Sequence, residues 1–215
     1  MIKHIWFDVS GTLAPDTEEY AKAHNALRYQ TYADTVKKSV DDSLVAEYEE
    51  LYKQYGSNSA VFRSLGLPSD YWQQHFNKLD KELYYKPDVR IYGTVKKLHD
   101  LLPISIFTNV TPEENTRTLK LLDIDIEWFT HIISGDDIQE RKPALDGFHL
   151  MIEKSNLSSS EILYVGDRID VDIKPAKQLG IQTCFVFGTT NEADFSCTQF
   201  EDILNISLLP KTPTF

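Results

Sequence analysis

Asp8 is placed where a carboxylate can do chemistry at the edge of a β-sheet. It follows the apolar residues 5–7 and precedes a turn at Gly11. An apolar run that ends in a carboxylate and a glycine turn is typical of a buried strand that carries a side chain to the carboxyl edge of a parallel sheet. Because open α/β sheets bind their ligands at that edge, Asp8 is a candidate for direct ligand contact.

A second group of carboxylates follows another apolar run. Residues 162–165 are apolar and lead into Gly166 and Asp167, with Asp170 and Asp172 behind them. Like charges this close together are unfavourable unless a cation offsets them. Hard carboxylate oxygens, supplemented by water, suit Mg²⁺. The cluster therefore predicts a magnesium site, although Asp170 at a helix start can equally be an N-terminal cap.

Four segments of the chain resemble, in order, the four motifs of the haloacid-dehalogenase-like hydrolases. The segments are Asp8-Val9-Ser10-Gly11-Thr12-Leu13, Thr108-Asn109 after the apolar residues 104–107, Lys142-Pro143, and Gly166-Asp167 followed by Asp172. Each stands at the end of a predicted strand or the start of a predicted helix. The resemblance covers roughly residues 1–14 and 88–190. It implies an α/β core with a Rossmann-like parallel sheet.

The resemblance also implies a role in phosphoryl transfer for the matching residues. Asp8 would attack phosphorus and form an aspartyl-phosphate that water hydrolyses. Thr108 and Asn109 would hold the phosphoryl oxygens, and Lys142 would neutralise the charge of the nucleophile and of the phosphoryl group. Taken singly, these residues have ordinary structural alternatives. Asp8 can cap a turn, Thr108 can cap a strand end, and Lys142 can be a solvated loop residue.

Ser10 is the one departure from the commonest motif. Most phosphatases of this superfamily have a second Asp at this position as general acid and base, and a serine hydroxyl is too weak an acid to protonate a leaving alkoxide at pH 7. The family's metal contact at this position is a backbone carbonyl, which Ser10 can still supply. By the same resemblance Asp8 and Asp167 coordinate Mg²⁺ directly. Asp172 joins the metal site by orienting a ligand water, or it orients Lys142.

A parallel sheet with helices on both faces would bring these residues together. The apolar runs predict strands at 2–7, 104–107, 131–134, 162–165 and 183–187. Helical patterns cover 90–101, 113–122, 144–155 and 171–179. Pro175 fits the last helix only if that helix begins near Val171, so that the proline lies in its first turn.

The residues between the first and second motifs contain no convincing strand. The predicted domains are therefore a core at 1–14 and 88–215 and an α-helical insertion at 15–87, with helices at 17–38, 41–55, 60–65 and 70–83. N-terminal caps are expected near Asp16-Thr17 and Asp41-Asp42. Nine of the eleven tyrosines lie in the insertion, where they either line a substrate pocket or pack between helices. The insertion resembles the helical cap of the family's first cap class, which closes over the active site and selects the substrate.

The amino-acid composition limits which binding partners and which cellular compartment are expected. The 215 residues are 41% hydrophobic and 26% charged, as in ordinary globular proteins, and the net charge of −11 argues against a nucleic-acid partner. The sequence has no run of 18 apolar residues and no signal peptide, so no membrane association is expected. Cys184 and Cys197, without close pairing in the sequence, indicate reduced thiols in the cytoplasm; a disulfide between them is the less favoured alternative. The tail from Leu204 to Phe215 is expected to run irregularly.

The resemblance implies a Mg²⁺-dependent phosphatase that acts on a small phosphorylated metabolite. One alternative is a 2-haloacid dehalogenase, which would use Asp8 on carbon without a metal and typically has an aromatic residue at the position of Ser10. The acidic residues around Asp167 argue against it. The other alternative is a weakly active or non-catalytic binding protein, which only Ser10 suggests. Retention of Asp8, Lys142 and the carboxylates argues against that alternative.

Overall fold

The computed structural model describes residues 1–210. The chain forms two compact units. The first consists of Met1–Pro15 together with the chain from Tyr85 onwards, and the second, called the helical unit below, is Asp16–Tyr84.

Six strands and eight α-helices lie within the described residues. The strands are β1 (His4–Phe7), β2 (Ile104–Phe107), β3 (Phe129–Ile133), β4 (Ile162–Gly166), β5 (Gln182–Val186) and β6 (Phe195–Cys197). The α-helices are α1 (Glu18–Val36), α2 (Asp42–Tyr55), α3 (Asn58–Ser64), α4 (Tyr71–Phe76), α5 (Val89–Leu101), α6 (Pro112–Leu121), α7 (Asp146–Ser155) and α8 (Lys174–Gln178). Four 3₁₀ helices and one π-helical turn complete the elements: Lys81–Leu83, Ile126–Trp128, Ser159–Glu161, Phe200–Asn205 and the π-helical turn Ile169–Ile173.

The six strands form one parallel sheet in the order β3-β2-β1-β4-β5-β6. This confirms the predicted fold class, a Rossmann-like α/β core. Phe7 at the end of β1 is in register with Ile106 of β2 on one side and Val165 of β4 on the other. The residues that follow these three strands therefore emerge at the same edge of the sheet. The loops that carry the motifs start there.

Both faces of the sheet are buried by helices. On one face Phe148 of α7 packs edge to face against Phe107 and Tyr164, and its ring centroid lies 5.0 Å and 5.2 Å from theirs. Each such fully buried side chain contributes about 1.5–3 kcal/mol through the removal of apolar surface from water. On the other face Phe7 contacts Phe200 of the last 3₁₀ helix. This packing holds the strand ends in fixed positions.

The predicted core elements are found with end shifts of one or two residues, except around the last helix. Residues 171–179 were expected to be one helix, but the π-helical turn comes first and α8 begins only at Lys174. Pro175 accordingly lies in the first turn of α8, where its missing N–H costs no hydrogen bond. The π-helical turn matters for the site because it contains Asp170 and Asp172.

Strand β6 was not predicted, and it determines where the second cysteine lies. Its three residues carry no periodicity that distinguishes them from a polar loop. β6 pairs with β5, which brings the buried Cys197 next to the buried Cys184 with 3.5 Å between the Sγ atoms. Both are free thiols. The two cysteines are thus separated in the sequence but adjacent in the fold, without a disulfide between them.

The helical unit has a hydrophobic core of its own. The side chains of Thr17 and Asp41 cap α1 and α2 by accepting hydrogen bonds from backbone N–H groups three residues ahead. Tyr48 is fully buried and packs against Tyr32 and Phe62. These tyrosines pack between helices, the second of the two alternatives. The predicted helix 70–83 is interrupted, since α4 ends at Phe76 and a 3₁₀ helix follows at Lys81–Leu83.

The tail is more ordered than expected at its start. Leu204 belongs to the 3₁₀ helix Phe200–Asn205, and Ile206 and Leu209 are buried. The rest of the predicted irregular tail, 211–215, lies outside the described residues. Within residues 1–210, none of the helices combines the length and the apolar character that crossing a bilayer requires.

Candidate active site

Three carboxylates meet at the carboxyl edge of the sheet. Asp8 follows β1, Asp167 follows β4, and Asp172 comes from the π-helical turn behind β4; one oxygen from each lies within 4.8 Å of the others. Two glycines make room for this approach. A Cβ on Gly11, whose φ is +84°, would lie 2.3 Å from Oδ2 of Asp167, and a Cβ on Gly166 would lie 2.5 Å from Cβ of Asp172. Side chains at either position would displace a carboxylate.

The ammonium group of Lys142 binds two of the three carboxylates. Its Nζ lies 2.7 Å from Oδ1 of Asp8 and 2.7 Å from Oδ1 of Asp172. The same nitrogen donates to the hydroxyl of Tyr164 at 2.6 Å and faces the backbone carbonyl of Phe107 at 3.2 Å. All four of these groups are buried, so little water screens the interactions.

Burial and mutual repulsion perturb the carboxyl groups. Burial raises the pKa of Asp8 to about 6, even though the adjacent Lys142 favours the carboxylate and only Asp172 adds to the rise. Burial, reinforced by the charges of Asp8 and Asp172, raises the pKa of Asp167 to about 7. Burial disfavours the charged form of Lys142, but the carboxylates of Asp172 and Asp8 outweigh this and raise its pKa. The site therefore has more negative charge than its one lysine offsets.

The donor set fits a hard divalent cation. Carboxylate oxygens are the ligands that Mg²⁺ and similar ions prefer. A cation would offset both the burial of Asp167 and its repulsion by Asp8 and Asp172, which together raise its pKa. Thr12 supports the arrangement by donating a hydrogen bond from its hydroxyl to Oδ1 of Asp167 at 3.1 Å. Asp8, Asp167 and Asp172 are the residues that could hold such an ion.

The predicted phosphoryl-binding residues follow β2 at the same edge. Thr108 is buried, and its backbone N–H donates to the carbonyl of Ile133 at 2.9 Å. The side-chain amide of Asn109 is engaged by the backbone of Lys142, from which its Oδ1 accepts at 2.8 Å and to which its Nδ2 donates at 3.0 Å. Asn109 therefore contributes to the position of Lys142, whatever contact it makes with a ligand.

Two other predicted residues lie in different surroundings. Ser10 is half-buried and forms a backbone bridge with Ala14 in the turn after β1. Asp170 is exposed, and its carboxylate pairs with Lys174 at 2.8 Å rather than with the carboxylate cluster. Of the three acidic residues that follow β4, Asp167 and Asp172 lie in the cluster with Asp8, whereas Asp170 lies outside it.

Sequence reasoning missed Tyr164 and Thr12. Tyr164 carries the only polar side-chain group of the apolar run 162–165, and this is the signal that could have revealed it, because a hydroxyl on a fully buried strand needs a partner. Burial, with the charges of Asp172 and Asp8, raises the pKa of Tyr164 well above its ordinary value, so its hydroxyl keeps its proton. Thr12 stood within the first motif but offered no sign of its partner.

Several known proteins are similar to this chain in sequence or in fold. A glyceraldehyde 3-phosphate phosphatase from Methanocaldococcus jannaschii is 28% identical over 212 residues, which covers 85% of this chain and 84% of the relative. A protein of the same name from Pyrococcus abyssi is 30% identical over 200 residues, with 85% and 80% covered. The crystal structure of a HAD phosphatase from Thermococcus onnurineus superposes with a TM-score of 0.71 at 19% identity and covers 98% of this chain and all of that one.

The sequence pattern of the haloacid dehalogenase-like hydrolases matches residues 5–186. The matched residues make up most of the chain and include every residue of the site described above. This protein therefore belongs to the haloacid dehalogenase-like hydrolases.

Proposed function

We propose that this protein is a divalent-metal-dependent phosphatase that hydrolyses a small phosphorylated metabolite through an aspartyl-phosphate on Asp8. The observation that carries the proposal is that Asp8, Lys142 and Asp167 lie together at the carboxyl edge of the sheet. A carboxylate nucleophile, a fixed positive charge and an acidic cluster suited to a cation are the groups that phosphoryl transfer to a carboxylate requires.

In the proposed reaction an oxygen of Asp8 forms a bond to phosphorus while the bond from phosphorus to the substrate oxygen breaks. Lys142 binds Oδ1 of Asp8 and holds the carboxylate in one orientation. Thr108 and Asn109, which follow the neighbouring strand β2, are proposed to contact the phosphoryl oxygens. Water then attacks phosphorus, the acyl phosphate bond breaks, and the carboxylate of Asp8 is restored with release of phosphate.

We propose Mg²⁺ as the cation, held by Asp8, Asp167 and Asp172 with the backbone carbonyl of Ser10. When bound, it supplies positive charge that offsets the charges of the phosphoryl group and the carboxylates. The raised pKa values of Asp8 and Asp167 support this assignment, because they report carboxylates with too little compensating charge of their own. The exposed Asp170 takes no part in it.

The substrate is proposed to be a small phosphate monoester. Glyceraldehyde 3-phosphate is the first compound to test, since the similar proteins from Methanocaldococcus jannaschii and Pyrococcus abyssi are named as its phosphatases. No nucleic acid is proposed as a partner, in keeping with the net charge of −11. The proposed compartment is the cytoplasm, where the two adjacent free thiols of Cys184 and Cys197 would stay reduced.

The test is phosphate release from a panel of phosphorylated metabolites, with Mg²⁺ and with EDTA. We expect turnover that EDTA abolishes, no turnover by Asp8→Asn, and turnover close to that of the wild type by the matched variant Asp170→Asn. Circular dichroism of each variant checks that the fold persists. Halide release from 2-chloropropionate in EDTA would favour the dehalogenase alternative, and the absence of any turnover would favour a binding protein.

A further inference from the structure

Tyr164 completes the coordination of the Lys142 ammonium group. A lysine ammonium has three N–H donors. Three oxygens lie at 2.6–2.7 Å from Nζ: Oδ1 of Asp8, Oδ1 of Asp172 and the hydroxyl of Tyr164. The fourth neighbour, the carbonyl of Phe107, is farther away at 3.2 Å. The three protons are therefore assigned to three short hydrogen bonds, one of which is to Tyr164.

The Tyr164 hydroxyl also has acceptors for a hydrogen bond that it donates itself. It lies 3.2 Å from Oδ1 of Asp172 and 3.2 Å from the carbonyl of Phe107, and either can accept. The oxygen thus accepts from Lys142 and donates onward, which is the one arrangement that satisfies both groups. Its position is rigid because the ring is fully buried against Phe107 and Phe148.

We propose that Tyr164 is a positioning residue for the phosphatase reaction, whose hydroxyl holds the Lys142 ammonium over Asp8 so that the nucleophile keeps one orientation. Lysine is a flexible side chain with a rotatable point charge, and two carboxylates alone leave its third N–H without a close acceptor. Without the hydroxyl, that N–H turns to the carbonyl of Phe107. The ammonium then moves relative to Oδ1 of Asp8, which the reaction needs in a fixed place.

The variant Tyr164→Phe removes the hydroxyl and keeps the ring, so it tests the contribution of the hydroxyl alone. The phenyl ring keeps the packing and the contact of the ammonium with the aromatic face, which lies 5.3 Å from Nζ to the centroid. Tyr48→Phe in the helical unit is the matched control. It removes a hydroxyl from an equally buried tyrosine, which donates to Oδ1 of Asn58 at 2.7 Å and lies outside the proposed site.

The first measurement is the kinetics of 4-nitrophenyl phosphate hydrolysis with Mg²⁺, and this arm rests on the proposed function. We expect Tyr164→Phe to lower kcat by roughly 10- to 100-fold, the worth of a hydrogen bond to a charged group, with KM changed less than about twofold. Tyr48→Phe should leave kcat within about twofold. An unchanged kcat in Tyr164→Phe, with an active wild type, overturns the inference and leaves the proposed function standing.

The second measurement needs no activity. Urea unfolding in EDTA is followed for Tyr164→Phe, Lys142→Met and the double variant, with Lys142→Gln as the replacement if Lys142→Met does not fold. In the protein with Lys142, Tyr164→Phe should shift the unfolding midpoint; in the Lys142 variant, the same substitution should shift it by at most about half as much. Tyr48→Phe should shift the midpoint equally with and without Lys142. Additive shifts for Tyr164→Phe overturn the inference. If the wild type hydrolyses no phosphate ester, the proposed function fails and this cycle alone decides the role of Tyr164.

Discussion

The side chain of Asn109 is hydrogen-bonded at both ends to the backbone of Lys142, a residue 33 positions further along the chain. Oδ1 accepts from the N–H of Lys142, and Nδ2 donates to its carbonyl. The amide thus ties the strand end after β2 to the loop that carries the lysine. Since the ammonium of Lys142 in turn binds Asp8 and Asp172, Asn109 supports the site from outside the carboxylate cluster.

We predict that Asn109→Ala lowers both stability and activity. Loss of the two hydrogen bonds leaves the partly buried backbone groups of Lys142 unpaired, which should reduce the free energy of unfolding by roughly 1–3 kcal/mol and kcat/KM at least tenfold. Urea unfolding in EDTA measures the first, and phosphate release the second. If Asn109 served only as a substrate contact, activity would fall while the unfolding midpoint stayed at the wild-type value.

Substitution of Asp167 should weaken Mg²⁺ binding much more than substitution of Asp170. Asp167→Asn removes a carboxylate of the cluster and should weaken Mg²⁺ binding at least tenfold, whereas Asp170→Asn, whose side chain pairs with Lys174 on the surface, should change it less than about twofold. Isothermal titration calorimetry with MgCl₂ measures both. Equal losses in the two variants would contradict the proposed assignment of Asp167 as a metal ligand.

The metal-free protein should gain stability from Asp167→Asn, and the gain should depend on pH. The pKa of Asp167 in the folded protein, about 7, lies above its ordinary value of 3.8, so the folded state binds the proton more tightly than the unfolded state. The carboxylate therefore destabilises the fold increasingly between pH 4 and pH 7, and by a constant amount above pH 7. The variant should be more stable than the wild type by roughly 1–3 kcal/mol at pH 7.5 and by much less at pH 4.5.

Urea unfolding in EDTA at these two pH values measures the effect. Asp170→Asn is the control, because its carboxylate is exposed, and it should stay within about 0.5 kcal/mol of the wild type at both. With saturating Mg²⁺ the order should reverse, since the wild type then gains the free energy of metal binding. A variant no more stable than the wild type in EDTA at pH 7.5 would show that repulsion in the cluster is relieved in another way.

Ser10 should make the rate depend on the leaving group. Without a carboxylic acid at this position, the substrate oxygen departs with little proton assistance, so aryl and acyl phosphates should react faster than alkyl phosphates. The advantage should approach the factor of about 10²–10⁴ that general acid catalysis supplies. Ser10→Asp should speed alkyl phosphate hydrolysis selectively and narrow the gap.

The measurement compares kcat/KM for 4-nitrophenyl phosphate and glycerol 3-phosphate in the wild type and in Ser10→Asp. Ser10→Ala is the matched control and should behave like the wild type, because the hydroxyl is assigned no proton transfer. Equal rates for both esters in the wild type would mean that another acid protonates the leaving group.

The sequence by itself determined the frame of the site. Asp8 and Asp167 each end an apolar strand, and strands of one parallel sheet bring their carboxyl ends to the same edge, so local patterns were enough to predict that these side chains meet. The five longer strands and the core helices α5, α6 and α7 were predictable for the same reason, since periodicity and turn residues are local. The three-residue β6 was not, because it forms only by pairing with β5.

Only the tertiary structure decided which neighbours share the site. Asp170 and Asp172 stand two residues apart after the same strand, and the π-helical turn directs Asp172 inward to Lys142 and Asp170 outward to Lys174. The hydroxyl of Tyr164 and the thiols of Cys184 and Cys197 likewise gain their partners only when separate strands are packed side by side. A side chain's partner across the fold depends on register and turn geometry, which the packing of the whole domain sets and a short stretch of sequence does not encode.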